Sequence, residues 1–127
     1  MNYNKQRSNE SMEDYLETIL ILQKKNGNVR SIDIANELNF TKASVSVAMK
    51  NLRDKNYVTV QENGYILLTD SGRKIAKDVY ERHTILSSLL VRLGVSEKTA
   101  LEDACKIEHF LSEESFNAIK KHMREHS

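Results

Sequence analysis

A chain of 127 residues with a formal net charge of +1 has room for one core, or for a small domain with an oligomerisation arm. Its 39% hydrophobic and 29% charged residues exclude intrinsic disorder, and its one cysteine excludes an internal disulfide framework. No apolar run nears the roughly 18 residues of a membrane span, and the polar start Met1 to Glu10 has no signal-peptide core. A cytoplasmic setting and no membrane partner are therefore expected.

The absence of proline and the presence of only four glycines favour long helices. Met1 to Ser11 has no periodicity and reads as a frayed arm. Ser11, with Asp14 in the first turn, starts an amphipathic helix of about three turns. It carries Tyr15, Leu16, Ile19, Leu20 and Leu22 inward, and Asn26-Gly27-Asn28 ends it. Ser31 caps a short helix, Ile32 to Leu38. After the break Asn39-Phe40-Thr41, a longer helix runs to about Lys55, with Val45, Met49 and Leu52 on one face. Two helices joined by so short a turn, the second rich in Ser, Thr and Lys near its start, predict a helix-turn-helix.

Tyr57 to Val60 and Tyr65 to Leu68 are β-prone runs separated by Gln61-Glu62-Asn63-Gly64, a hairpin signal. A hairpin directly after a helix-turn-helix is a wing, so the expected fold is mainly α: a winged helix with a two-stranded wing, then a helical domain. The boundary is expected near residue 70, with residues 1–70 reading DNA and 71–127 forming the helical domain. Thr69-Asp70-Ser71-Gly72 caps a long helix, roughly Ser71 to Leu93, stopped by Gly94. Ser96 caps another to about Phe110, and a last one spans Ser112 to Met123. These helices expose a large apolar face with little of this chain left to bury it, which points to a homodimer.

Charge is distributed unevenly. Eleven Lys and Arg against seven Asp and Glu lie between Leu20 and Arg82, whereas the first 19 residues are net acidic and the stretch from His83 onward is nearly neutral. The basic excess falls on the DNA-reading module, as phosphate contact requires. At the start of the second helix of the helix-turn-helix, Thr41, Ala43, Ser44 and Val47 are placed to meet base edges, and Ser46 shares this helix. Lys42, Lys50 and Arg53 are better suited to phosphates.

Cys105, Glu108 and His109 stand at i, i+3 and i+4, which places a thiolate, a carboxylate and an imidazole on one helix face. That is a mixed donor set for a divalent transition metal. Asp14 and Glu17 repeat the i, i+3 spacing on the first helix, and His83 lies on the long helix. Taken singly, the cysteine would serve as well as a small core residue, and the two acids as first-turn partners of the helix dipole.

The segment Ser11-Met12-Glu13-Asp14-Tyr15-Leu16-Glu17-Thr18-Ile19 resembles the opening of the diphtheria-toxin-repressor family of metal-dependent transcriptional repressors. Leu68 to Arg73, Tyr80-Glu81-Arg82-His83 and Glu102 to Ser112 are similar to it too, in order, over roughly residues 8 to 123. The resemblance implies a repressor of metal-uptake genes that binds double-stranded operator DNA as a homodimer. It also implies a principal metal site at Asp14, Cys105, Glu108 and His109, and a second at Glu17 and His83. The iron-dependent branch usually has Met at the Asp14 position and Cys at the Cys105 position, whereas the short manganese branch usually has Asp and Glu. This chain combines the two. The thiolate admits iron, zinc or cobalt and the extra oxygen ligand favours manganese, so the expected cofactor is Mn(II) or Fe(II), with Zn(II) or Co(II) accepted in vitro. An ancillary site of the iron branch is incomplete, because its expected acid falls on Ser87 and its expected histidine on Leu101. The small C-terminal domain of the longer members is not expected.

An enzyme and a small organic substrate are not expected. The chain has no H-E-x-x-H helix and no general base beyond the proposed ligands. The competing reading is a winged-helix regulator that answers to a non-metal ligand.

Overall fold

The computed structural model describes the backbone of residues 3–126 and the side chains of residues 11–126. The elements run α1 (Tyr3–Asn26), α2 (Ser31–Leu38), α3 (Lys42–Asp54), β1 (Val58–Val60), β2 (Ile66–Leu68), α4 (Asp70–Arg92), α5 (Glu97–Ile107) and α6 (Glu113–Glu125). Two compact units result. Residues 7–77 form one, residues from Asp78 onward belong to the other, and the division falls within α4.

The first unit is the expected winged helix. Its core gathers Leu16, Ile19, Leu20 and Leu22 of α1, Ile34 and Ala35 of α2, and Val45, Met49 and Leu52 of α3. Val58, Ile66 and Leu68 of the wing and Ala76 of α4 complete it. Their 3–4-residue spacing in the helices and alternation in β2 are what one buried face requires. α1 begins at Tyr3, so the expected start at Ser11 and the frayed arm are corrected over residues 3–11. That stretch has neither glycine nor proline to break a helix. Met1 and Asn2 lie outside the described residues.

α2 is entered one residue earlier than expected. Arg30 is its N-cap, and the Asp33 carboxylate accepts the Arg30 backbone N–H at 2.9 Å. Asn39 then turns the chain in the left-handed region (φ 57°), a conformation asparagine tolerates well. Thr41 caps α3 by accepting the Ser44 N–H at 3.1 Å. The ring of Phe40, just before that cap, meets Tyr15 of α1 edge-on at 6.0 Å. Burial pushes the Tyr15 hydroxyl above its ordinary pKa.

In the wing, Val58 pairs with Leu68 and Val60 with Ile66, antiparallel. Its base is tied to the start of α4. Thr69 Oγ1 donates to the Asn56 carbonyl at 2.8 Å and accepts the Gly72 N–H at 3.1 Å, while the Thr69 N–H donates to the Tyr57 carbonyl at 3.0 Å. The predicted cap at Thr69-Asp70-Ser71-Gly72 is thus also a joint to the wing.

The second unit is helical. Its buried apolar residues are Val79 and Leu86 of α4, Ala100 and Ala104 of α5, and Phe116 of α6. Ser96 caps α5 and Ser112 caps α6, each by accepting a backbone N–H three residues on. Near the end of the chain, Arg92 donates to the His126 carbonyl at 3.2 Å. Val91, Leu93, Leu101 and Phe110 remain exposed.

Candidate metal centre and DNA-reading surface

α5 stops at Ile107, short of the expected Phe110. Glu108 is its C-cap, still in right-handed helical geometry, with its N–H bonded to the Ala104 carbonyl at 3.0 Å. The i, i+3 relation between Cys105 and Glu108 therefore survives, and His109 lies just past the helix end, in the turn that follows. The turn closes because the N–H groups of Phe110 and Leu111 both return to the Ile107 carbonyl.

Glu108 is the hub of this cluster. It is 1% exposed, and its carboxylate has an imidazole on each side. His83 Nδ1 lies 3.0 Å from Oε2, and His109 Nε2 lies 3.4 Å from Oε1. With Glu108 ionised and His83 neutral, His83 donates through Nδ1–H and keeps its lone pair on Nε2, the arrangement in which a carboxylate orients a metal-binding histidine. A ligand atom of Cys105 lies within 4.8 Å of one from Glu108, and Cys105 is exposed. One carboxylate, two imidazoles and one thiol thus meet at the end of α5. Oxygen, nitrogen and sulfur donors in one place suit a divalent transition metal.

In the winged-helix unit, Asp14 is partly buried and Glu17 is 8% exposed, both on α1. All eight residues singled out for DNA, Thr41, Lys42, Ala43, Ser44, Ser46, Val47, Lys50 and Arg53, are exposed on or at the cap of α3. Val47 is exposed to 62%. The Thr41 hydroxyl donates to Ser44 Oγ at 2.9 Å while it accepts the Ser44 N–H at the helix cap, so it is engaged within the cap itself. Phe40 was not among the sequence candidates, yet half of its surface is exposed beside the same cap. An apolar residue inside a turn where a polar one is usual was its only signal.

Comparison with known proteins places the chain in a family. The iron-dependent repressor N-terminal DNA-binding domain matches residues 8–65, and the metal-binding and dimerisation domain of the same repressors matches residues 69–126. An HTH-type transcriptional regulator of Methanocaldococcus jannaschii is 37% identical over 87% of this chain and 90% of its own. The chain belongs to the iron-dependent repressor family. The regulator MntR of Geobacillus kaustophilus is 38% identical, over 87% of this chain and 77% of its own. A solved manganese-dependent transcriptional repressor in complex with manganese has a TM-score of 0.79 at 27% identity, covering 87% of this chain. This chain spans about half of that one, 51%. As a family member the chain is a metal-dependent transcriptional regulator and not an enzyme. Its architecture of a winged helix followed by a helical dimerisation domain is the family's own. Among the described residues, no helix is long and apolar enough to cross a membrane.

Proposed function

We propose that this chain is a cytoplasmic, metal-activated repressor of metal-uptake genes that acts on operator DNA as a homodimer. In this reading Asp14, Cys105, Glu108 and His109 hold the principal ion, and Glu17 with His83 provides a second position. Residues 1–70 read DNA, and residues 71–127 bind metal and pair the subunits. The observation that carries this reading is Glu108, a buried carboxylate with two imidazoles and a thiol gathered about it. Asp14 and Glu17 enter through the family resemblance and through their chemistry, since hard carboxylates balance the soft thiol. Mn(II) or Fe(II) is the proposed ion, and the manganese carried by the solved relative supports the first. Exposed Val91, Leu93 and Leu101 on a unit with few buried apolar residues support a partner subunit.

Bound metal would supply positive charge that offsets the proposed carboxylate ligands. A metal that binds the DNA-competent arrangement more tightly shifts the population toward it, and operator DNA must then tighten metal binding by the same factor. A gel shift on operator DNA at buffered free Mn²⁺, Fe²⁺ and Zn²⁺ tests this directly. Metal is expected to raise operator affinity, chelation to reverse it, and Cys105→Ala or His109→Ala to abolish the response. DNA binding that is unchanged by chelator would instead favour a non-metal effector.

Reading by α3 has its own test. Val47→Ala removes an exposed apolar contact without touching the core. It is expected to relax preference at one base position, at a cost of about 1 kcal/mol for the preferred operator. Lys50→Ala is expected to weaken all sequences alike and to reduce the salt dependence of binding by about one phosphate contact. Equal changes in sequence preference for the two variants would contradict the division of roles.

A further inference from the structure

We propose that Arg82 is the positioning residue of the metal centre, holding the ligand-bearing turn at the end of α5 in place from α4. The inference rests on the metal-binding reading of Glu108 and His109. Helix ends leave carbonyls without partners inside the helix, and a cation suits them because the dipole is negative there. Arg82 Nη1 donates to one such carbonyl, that of the C-cap Glu108 at 3.1 Å, and also to the carbonyl of Leu111, just before the Ser112 cap of α6, at 2.6 Å. These two residues bracket His109. The guanidinium also stands over the ring of Phe116, 5.0 Å from its centroid, so its own place is set by the buried aromatic of α6.

Two adjacent residues of α4 therefore grip Glu108 at both ends. Arg82 holds its backbone carbonyl, and His83 holds its carboxylate at 3.0 Å. With the backbone carbonyl and the carboxylate both tethered, the freedom of the side chain between them is reduced. Arg82 bonds backbone carbonyls and not the Glu108 carboxylate, whose Oε2 faces His83. The nearby Lys120 makes a different contact, an ion pair with the exposed Glu81 at 2.8 Å, and touches neither carbonyl.

The test compares Arg82→Met, Arg82→Lys and Lys120→Met with the unmodified chain, measuring Mn²⁺ and Co²⁺ affinity by titration and the visible spectrum of the Co²⁺-loaded protein. Arg82→Met is expected to weaken binding about 10–100-fold, the range for lost outer-shell support, and to shift the Co²⁺ bands. Arg82→Lys, whose shorter arm reaches the two carbonyls less well, is expected to lose about 3–10-fold on the same scale. Lys120→Met should match the unmodified chain. A folded Arg82→Met or Arg82→Lys protein with unmodified affinity and spectrum overturns the proposal. So does an affinity loss that leaves the Co²⁺ spectrum at saturation unchanged, because that is what a purely structural arginine would produce. If Arg82→Met does not fold, Arg82→Lys decides by the same criteria. Failure of the unmodified chain to bind either ion would overturn the metal reading itself, a distinct result.

Discussion

Glu108→Gln is expected to abolish metal binding while leaving the metal-free protein at least as stable as before. The substitution keeps the side-chain volume and removes the charge. In the metal-free state a buried carboxylate costs several kcal/mol of desolvation in general, which its partners only partly recover. Here those partners are His83 Nδ1 at 3.0 Å and His109 Nε2 at 3.4 Å. A neutral amide lightens that cost, and its carbonyl oxygen can still accept from His83. Metal binding fares differently, because the amide is a weaker ligand that cannot offset cationic charge. For the unmodified chain, free metal at 100 times its Kd adds about 2.7 kcal/mol of stability. In a chain of this size that raises the melting temperature by about 10 °C. The expected result is a metal-induced rise for the unmodified chain, none for Glu108→Gln, and metal-free melting at or above the original. Thermal melts at one fixed protomer concentration, with metal and with chelator, measure all three. A metal-induced rise that persists in Glu108→Gln would remove Glu108 from the centre of the site.

The sequence made much of this site legible, and its silences have physical causes. Val45, Met49 and Leu52 recur at helical spacing and all three are buried, so the exposed side of α3 followed by elimination. Cys105 and Glu108 kept the predicted relation because three residues of helical geometry suffice to align them, even though α5 ends between them. His109 lies two residues past the end of α5, where the Ile107 carbonyl accepts the N–H groups of both Phe110 and Leu111. No propensity scale reports where a helix gives way to a turn within two residues. The length of α1 was missed for another reason: a polar segment without periodicity looks the same in a helix as in coil when no core face organises it. Arg82 lay inside a recognised motif, but its role depends on carbonyls 26 and 29 residues away, which spacing along the chain cannot reveal.

A glycine shows the same limit and yields the largest expected effect on the fold. Gly72 lies in the first turn of α4 with ordinary helical backbone, where alanine would normally stabilise by about 0.5–1 kcal/mol. The structure reverses that sign. A Cβ at Gly72 would run into the backbone carbonyl of Tyr57, and backbone, unlike the far end of a long side chain, has little room to yield. That carbonyl accepts the Thr69 N–H, and Thr69 Oγ1 in turn holds Asn56 and the Gly72 N–H itself. Relief of the clash therefore requires the joint between wing and α4 to open. Gly72→Ala is expected to destabilise by about 3 kcal/mol, at the upper end of overpacking costs. It should also weaken operator binding, because the wing moves with the joint. Gly27→Ala provides the comparison. Gly27 has φ +87° with nothing near its Cβ position, so only backbone strain of about 1 kcal/mol is expected. Urea unfolding of the two variants ranks them, with Gly72→Ala the worse by about 2 kcal/mol. The opposite order would mean that the close approach of α4 to Tyr57 is not what holds the wing.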